Sequence, residues 1–293
     1  MNTADPVANP IRNVSDTALW VAVYRAMESE RKDAIFKDPF ARRMAGERGQ
    51  SIVDAMPRGK DLAWAMIVRT AVMDELIQQC IAEGATSILN LAAGLDTRAY
   101  RMDLPEHVHW FHVDFPPMVD YVQEKMAGET PRCKLTYLAA DLRVAEQRDA
   151  VFKTAASKGP VLVVTEGLLV YLPPEDVEQL ATALRETASA RWWISDLATP
   201  LLLKRLSRSW SSKLKQGNAP FLFAPADAAA FFKPLGWNES VFRSSWTESL
   251  RLKRHIRYAQ FWNFLLKFNS KTQRADALRM SGITLMQPRH DVG

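Results

Sequence analysis

The sequence predicts an α/β protein in which an open, mostly parallel sheet is flanked by helices and preceded by a helical N-terminal segment. Three observations carry this. From Gly84 onward, short apolar runs alternate with stretches of helical periodicity, the pattern of parallel strands joined by crossover helices. The runs SILNLAAG and VLVVTEG are apolar on consecutive residues, which requires cover on both faces. Successive runs end in an acid, at Asp114, Asp141 and Glu166. Open parallel sheets collect ligands beyond such carboxyl ends.

Composition bounds the remaining possibilities. A chain of 293 residues holds one large or two small α/β domains, and 47% hydrophobic with 24% charged residues is ordinary globular usage. No apolar run reaches the roughly 18–20 residues that span a bilayer, so no membrane partner is expected. The N-terminus lacks the layout of a secretory signal. Cys80 and Cys133 are too few for a disulfide framework, and both features point to the cytoplasm. The net charge of +5 invites nucleic acid or an acidic substrate. The basic residues are scattered, however, except for Arg251, Lys253, Arg254, His255 and Arg257, which read as a solvated helix face. No nucleic-acid partner is expected. No metal is expected either, since His, Asp and Glu do not recur at ligand spacing.

Taken in order, residues 1–14 read as a loose arm. A helix follows from Ser15, a candidate cap, to about Arg31, with Leu19, Trp20, Val23, Tyr24 and Met27 at spacings of three and four. A second helix is expected over Asp38–Glu47, with Pro39 in its first turn. The strongest helical pattern runs from Asp61 to Gly84, its apolar stripe formed by Leu62, Met66, Met73, Leu76, Ile77 and Cys80. Arg69 falls inside that stripe. A buried guanidinium needs an anion, either a structural ion pair or a bound carboxylate or phosphate. Strands are expected at Ser87–Leu91, His109–Val113, Lys134–Ala139, Val161–Thr165, Trp192–Asp196, Ser240–Trp246 and Gly282–Met286. Pro173 and Pro174 open a helix after the fourth.

The first strand runs into LNLAAGLDTRAYR, where only Gly94 is glycine, so the dinucleotide glycine fingerprint is absent. That favours a cofactor without a pyrophosphate. Asp114 lies twenty residues after Gly94, suited to accept hydrogen bonds from ribose hydroxyls. Asp141 and Leu142 could bracket an adenine by a hydrogen bond and an apolar contact. With Glu166 they describe a nucleoside site for a ligand carrying positive charge.

The strings TALWVAVYRAMESER, FKDPFA, LAAGLDTRAYR, HVDFP, AADLR and TEGLLVYL, in this order and spacing, resemble the leucine carboxyl methyltransferase family. The nearest branch is the bacterial group of S-adenosylmethionine-dependent methyltransferases that includes polyketide O-methyltransferases. The resemblance covers residues 13–200 and is looser beyond. It implies a Rossmann-like class I methyltransferase fold with a mostly parallel seven-stranded sheet, and S-adenosylmethionine as cofactor. It also implies a helical lid over residues 1–83 and a core over 84–293, together one structural unit. Residue by residue, it implies that Arg69 pairs with the methionine carboxylate and that Gly94 lies under the cofactor. Asp114 would hold the ribose, Asp141 and Leu142 the adenine side, and Glu166 the methionine amino group. Thr17 and Arg25 would help the lid hold the acceptor.

Methyl transfer to a carboxylate needs no general base, whereas an alcohol or phenol needs one within hydrogen-bonding reach. His109 and His112 read as structural, and His255 is a weak candidate base. The expectation is therefore O-methylation of a carboxylate or acidic hydroxyl. Aromatic residues between Lys204 and Trp262, among them Trp210, Phe221, Phe223, Phe232, Trp237, Trp246 and Trp262, suggest a substrate-capping insertion around 200–262. The acceptor would be a small apolar or aromatic molecule. A nicotinamide-dependent oxidoreductase shares the ribose acid but lacks its glycines here, and a non-catalytic sensor would bind the same cofactor.

Overall fold

The computed structural model describes residues 14–56, 63–204 and 221–289. The arm at 1–13, Leu62, Trp210, His290 and part of the expected insertion lie outside the described residues. Seven strands form one sheet in the order β3-β2-β1-β4-β5-β7-β6. They are β1 (Ser87–Leu91), β2 (His109–Asp114), β3 (Lys134–Ala139), β4 (Val161–Thr165), β5 (Ala190–Ala198), β6 (Trp237–Ser244) and β7 (Ser281–Pro288). The strands β1 to β5 pair in parallel, and β7 runs antiparallel to both β5 and β6. The order reverses between β1 and β4, which opens a crevice at their carboxyl ends.

All five residues of β1 and of β4 are buried, as their unbroken apolar runs require. The pleat divides them between two cores. Ile88, Trp110, Leu162, Val164 and Ile194 pack on one side against α1 (Val14–Ser29), α2 (Ala41–Ala55) and α3 (Ala63–Ala82). Leu89, Leu91, Phe111, Val113, Val161, Val163 and Trp193 pack on the other with Phe152, Leu180 and Leu184. These last belong to α4 (Ala145–Ala156) and α5 (Pro174–Glu186). The seventh strand alone reverses direction, and its Gly282 lets Phe242 and the Arg243 carbonyl approach where a Cβ would collide.

Two elements differ from the sequence expectation by more than two residues at an end. The second helix starts at Ala41 and extends to Ala55, with a kink at Gly46 (φ 57°). Pro39 stays outside it because the Asp38 carboxylate accepts the Phe40 N–H (3.1 Å) and is held by Arg25 and Thr97. Beyond the kink the helix continues because Gly49 permits contact with α1: a Cβ there would stand 3.0 Å from the Leu19 carbonyl oxygen. The sixth strand starts at Trp237, and residues 245–246 belong to the helix Ser245–Arg251. Glu239 and Val241 face consecutive residues of β7, so Ser240 is a bulge whose hydroxyl donates to the Leu285 carbonyl (2.9 Å). A bulge breaks the two-residue alternation by which a strand is recognised.

Candidate functional site

A cavity of about 1160 Å³ opens where β1 and β4 part. Every residue expected to bind a cofactor lines it: Arg69, Gly94, Asp114, Asp141, Leu142 and Glu166. Thr17 and Arg25 of α1 line it too.

At the end of β2, the Asp114 carboxylate accepts the N–H groups of Gly94 and Phe115, each at 2.7 Å. Burial pushes its carboxyl up from the usual range against the pull of those two donors. This acid therefore clamps the turn after β1 to the end of β2. Gly94 sits at φ +53°, and a Cβ there would come within 3.2 Å of the Ala18 Cβ on α1. Glycine thus serves both the left-handed turn and the close passage of the N-terminal helix. Asp141, after β3, is held by Arg143 at 2.7 Å, which lowers its carboxyl pKa.

At the end of β4 the charges interlock. The Arg69 Nε lies 3.0 Å from Glu166 Oε1, and its Nη1 donates to Asp196 at 2.9 Å. Arg98 donates through Nη1 to Asp96 (2.6 Å) and Glu166 (2.7 Å), and through Nε to Asp74 (2.6 Å). Arg101 grips Asp74 with both terminal nitrogens. Burial works against ionisation of Glu166, but Arg98 and Arg69 outweigh it and hold its pKa at about 2. Asp96 is likewise held at about 2, burial again being overcome by Arg98 and Arg101. The second oxygen of Asp196 accepts the Gly167 N–H at 2.7 Å.

The buried charge of Arg69 is thus met by an ion pair within the protein, and the same guanidinium faces the cavity. Arg25 is also committed: its Nε donates to Asp38 (2.8 Å) and its Nη2 to the Leu95 carbonyl (2.6 Å), tying α1 to the turn after β1. Thr17 is buried and hydrogen-bonds Tyr171, whose phenol burial pushes up.

Sequence reasoning missed Asp96, Arg98 and Asp196, which also line the cavity. Asp196 was findable by the rule that located the other acids, since it sits near the carboxyl end of β5. The roles of Asp96 and Arg98 had no such signal, because their partners come from three separated stretches of chain. Of the named aromatics, Phe221, Trp246 and Trp262 line the cavity, whereas Phe223, Phe232 and Trp237 are core. His255 does not line it; its ring nitrogen meets the Ile256 carbonyl at 3.1 Å. Arg254, read as part of a solvated face, is instead buried on Glu28 at 2.8 Å.

His112 is buried on β2 beside Tyr137, and burial lowers its pKa to about 4 despite the pull of Asp96. Its folded pKa lies below the unfolded value of about 6.5, so the stability due to keeping it neutral is lost as pH falls from 6.5 towards 4. From this group alone the unfolding free energy should be on the order of 2 kcal/mol lower at pH 5 than at pH 7. Urea titrations of the wild type and His112→Leu at both pH values check this: the variant's pH difference should be smaller by that amount. An unchanged difference would contradict it.

A parallel sheet with one antiparallel strand beside its edge, and a cavity ringed by strand-end acids at its switch point, is the arrangement of the open α/β folds that bind ligands beyond their strand ends, and the likeness to solved structures given below makes it the class I methyltransferase fold. Residues 18–185 match the leucine carboxyl methyltransferase family. A protein of Streptomyces coelicolor assigned as an S-adenosyl-L-methionine-dependent methyltransferase is 30% identical over 239 residues, spanning 76% of this chain and 83% of that one. A protein of Mycobacterium tuberculosis with the same assignment is 34% identical over 196 residues, spanning 61% and 64%. Among solved structures, a protein of Thermobifida fusca assigned as a methyltransferase superposes with a TM-score of 0.56 at 14% identity, covering 99% of this chain and all of that one. The chain belongs to the leucine carboxyl methyltransferase family, and its cofactor is S-adenosylmethionine.

Proposed function

We propose that the protein transfers a methyl group from S-adenosylmethionine to an oxygen of a small apolar or aromatic molecule, the oxygen belonging to a carboxylate or acidic hydroxyl. The observation that carries this reading is that one cavity joins the polar strand ends to an apolar wall. That wall includes Trp64, Leu197, Phe221, Trp246, Trp262 and Ile283. A volume of about 1160 Å³ exceeds the roughly 300–1,000 Å³ that one ligand commonly fills, so two can lie side by side.

The donor set fits the cofactor. Asp114 would hold the ribose hydroxyls, Asp141 and Leu142 would flank the adenine, and the Gly94 turn would lie beneath it. Arg69 would meet the methionine carboxylate and Glu166 the amino group. When bound, the cofactor supplies a methyl group activated by a sulfonium. The chain's own residues would position the acceptor and exclude water, a contribution worth several kcal/mol of barrier. The helices up to residue 83, with Thr17 and Arg25, would form the lid, and the segment around 200–262 would cap the acceptor. Among the described residues, the cavity's titrating groups are acids, arginines and tyrosines. Burial raises the Tyr24 phenol to about 12 and also raises Tyr171, so both stay protonated at neutral pH. An acceptor that is already ionised suits this lining. The buried free thiols Cys80 and Cys133 agree with a cytoplasmic setting.

The test is to methylate a panel of aromatic and aliphatic acids and phenols with radiolabelled cofactor, then treat the product with mild alkali. A methyl ester releases labelled methanol, and a methyl ether or amine does not. Release is the expected result. Products stable to alkali and lacking an ether bond would overturn the oxygen assignment.

A further inference from the structure

The helix Ala259–Leu265, continued by the turn Leu266–Phe268, is apolar on two neighbouring faces, with Gln260, Asn263 and Lys267 on the third. Trp262, Leu265, Leu266 and Asn269, spaced three and four apart, line the cavity. Phe261, Phe264 and Phe268, also three and four apart, face solvent at 56%, 52% and 73% exposure. Tyr258 beside them is 63% exposed. Clustered exposed rings mark an interaction surface.

The charge that flanks the rings in the sequence says what that surface meets. Lys253, Arg257, Lys267, Lys271 and Arg274 are all exposed, and none is in a salt bridge among the described residues. No acidic residue occurs from 253 to 275. Two copies of this chain meeting through the strip would bring five cations against five. An anionic lipid surface complements them, and rings flanked by Lys and Arg are the composition of helices that lie in a bilayer interface. Among the described residues no helix is long and apolar enough to cross a membrane.

We propose that residues 256–274 dock the protein on an anionic lipid bilayer, the three phenylalanines entering the interface and the flanking cations meeting the headgroups. Docking would bring the mouth of the cavity to the lipid, because Ile256, Trp262 and Leu265 are at once cavity lining and at least 37% exposed. The inference stands apart from the acceptor proposed above, since binding to lipid is read without any methyl transfer.

The experiment is flotation of the full chain with vesicles of phosphatidylglycerol and phosphatidylcholine mixed, and of phosphatidylcholine alone. The protein should float with the anionic vesicles, at least tenfold more weakly with the neutral ones, and more weakly as salt rises. The triple variant Phe261→Ser, Phe264→Ser, Phe268→Ser should lose binding at least tenfold. Lys267→Glu with Lys271→Glu should lose it severalfold. Retained binding of S-adenosylhomocysteine shows that the variants are folded, because none of these residues lines the cavity. Failure to float with either vesicle, or flotation unchanged in the triple variant, would overturn the proposal. So would a concentration-dependent dimer that the triple variant abolishes, since the patch would then belong to a second copy.

Discussion

Replacing Arg98 with methionine should lower the unfolding free energy by about 3–5 kcal/mol, the usual cost of removing one partner from a buried charge network. Its side chain is 3% exposed and touches three carboxylates, those of Asp74, Asp96 and Glu166. Arg101 would still hold Asp74, and Arg69 would still face Glu166. Asp96 would keep the Asn90 amide and the residue 98 N–H but no bonded cation. Arg98→Lys should recover less than half of the loss, because one ammonium cannot reproduce the spread of a planar guanidinium across three acids. Urea denaturation at pH 7 measures both. A loss below about 1 kcal/mol would mean that water screens the network as it screens a surface pair. The sign with pH follows from Asp96 and Glu166, both held at about 2 in the folded chain. Their stabilisation is complete above the unfolded carboxylate range near 4 and is lost as pH falls towards 2. In Arg98→Met that acid dependence should shrink.

Arg69→Met should weaken S-adenosylmethionine binding at least tenfold, or by about 1.4 kcal/mol or more, while the fold persists. The fold should persist because Glu166 keeps Arg98, and Asp196 keeps the Gly167 N–H and partial contact with water. The tighter test compares the cofactor with its decarboxylated analogue by calorimetric titration. If Arg69 meets the methionine carboxylate, the wild type prefers the full cofactor and the variant binds the two alike. A variant that keeps the wild-type preference would remove Arg69 from that role and leave it as an ion pair within the protein. Asp114→Ala offers a parallel case: it should also cost at least tenfold, through the ribose and through the freed Gly94 N–H. Binding of NAD in place of either sulfur nucleoside would overturn the site assignment altogether.

How far the site could be read in advance differs residue by residue. Asp114, Asp141 and Glu166 were visible because a strand end is a local feature, marked by where an apolar run stops. Arg69 was visible as a contradiction, a charge on an apolar stripe, but whether its anion belonged to the protein or to a ligand was not. The start of α2 is not legible locally because Asp38 is consumed by Arg25 and Thr97, partners 13 and 59 residues away. The aromatic segment was legible only as aromatic: the same residue type ended in the core at Trp237, on the cavity wall at Trp246 and in solvent at Phe261.

The sequence by itself determined the α/β class, the strands β1 to β5 and the line of acids at their ends. Each of those follows from periodicity and from the end of an apolar run, which neighbouring residues dictate. The tertiary structure alone decided that Arg69, Arg98, Asp96, Glu166 and Asp196 form one charge network. It also decided that α1 passes over Gly94 and that one helix turns aromatic rings outward. Such outcomes depend on which distant surfaces are brought within a few ångströms, and burial and pairing energies act only at that range.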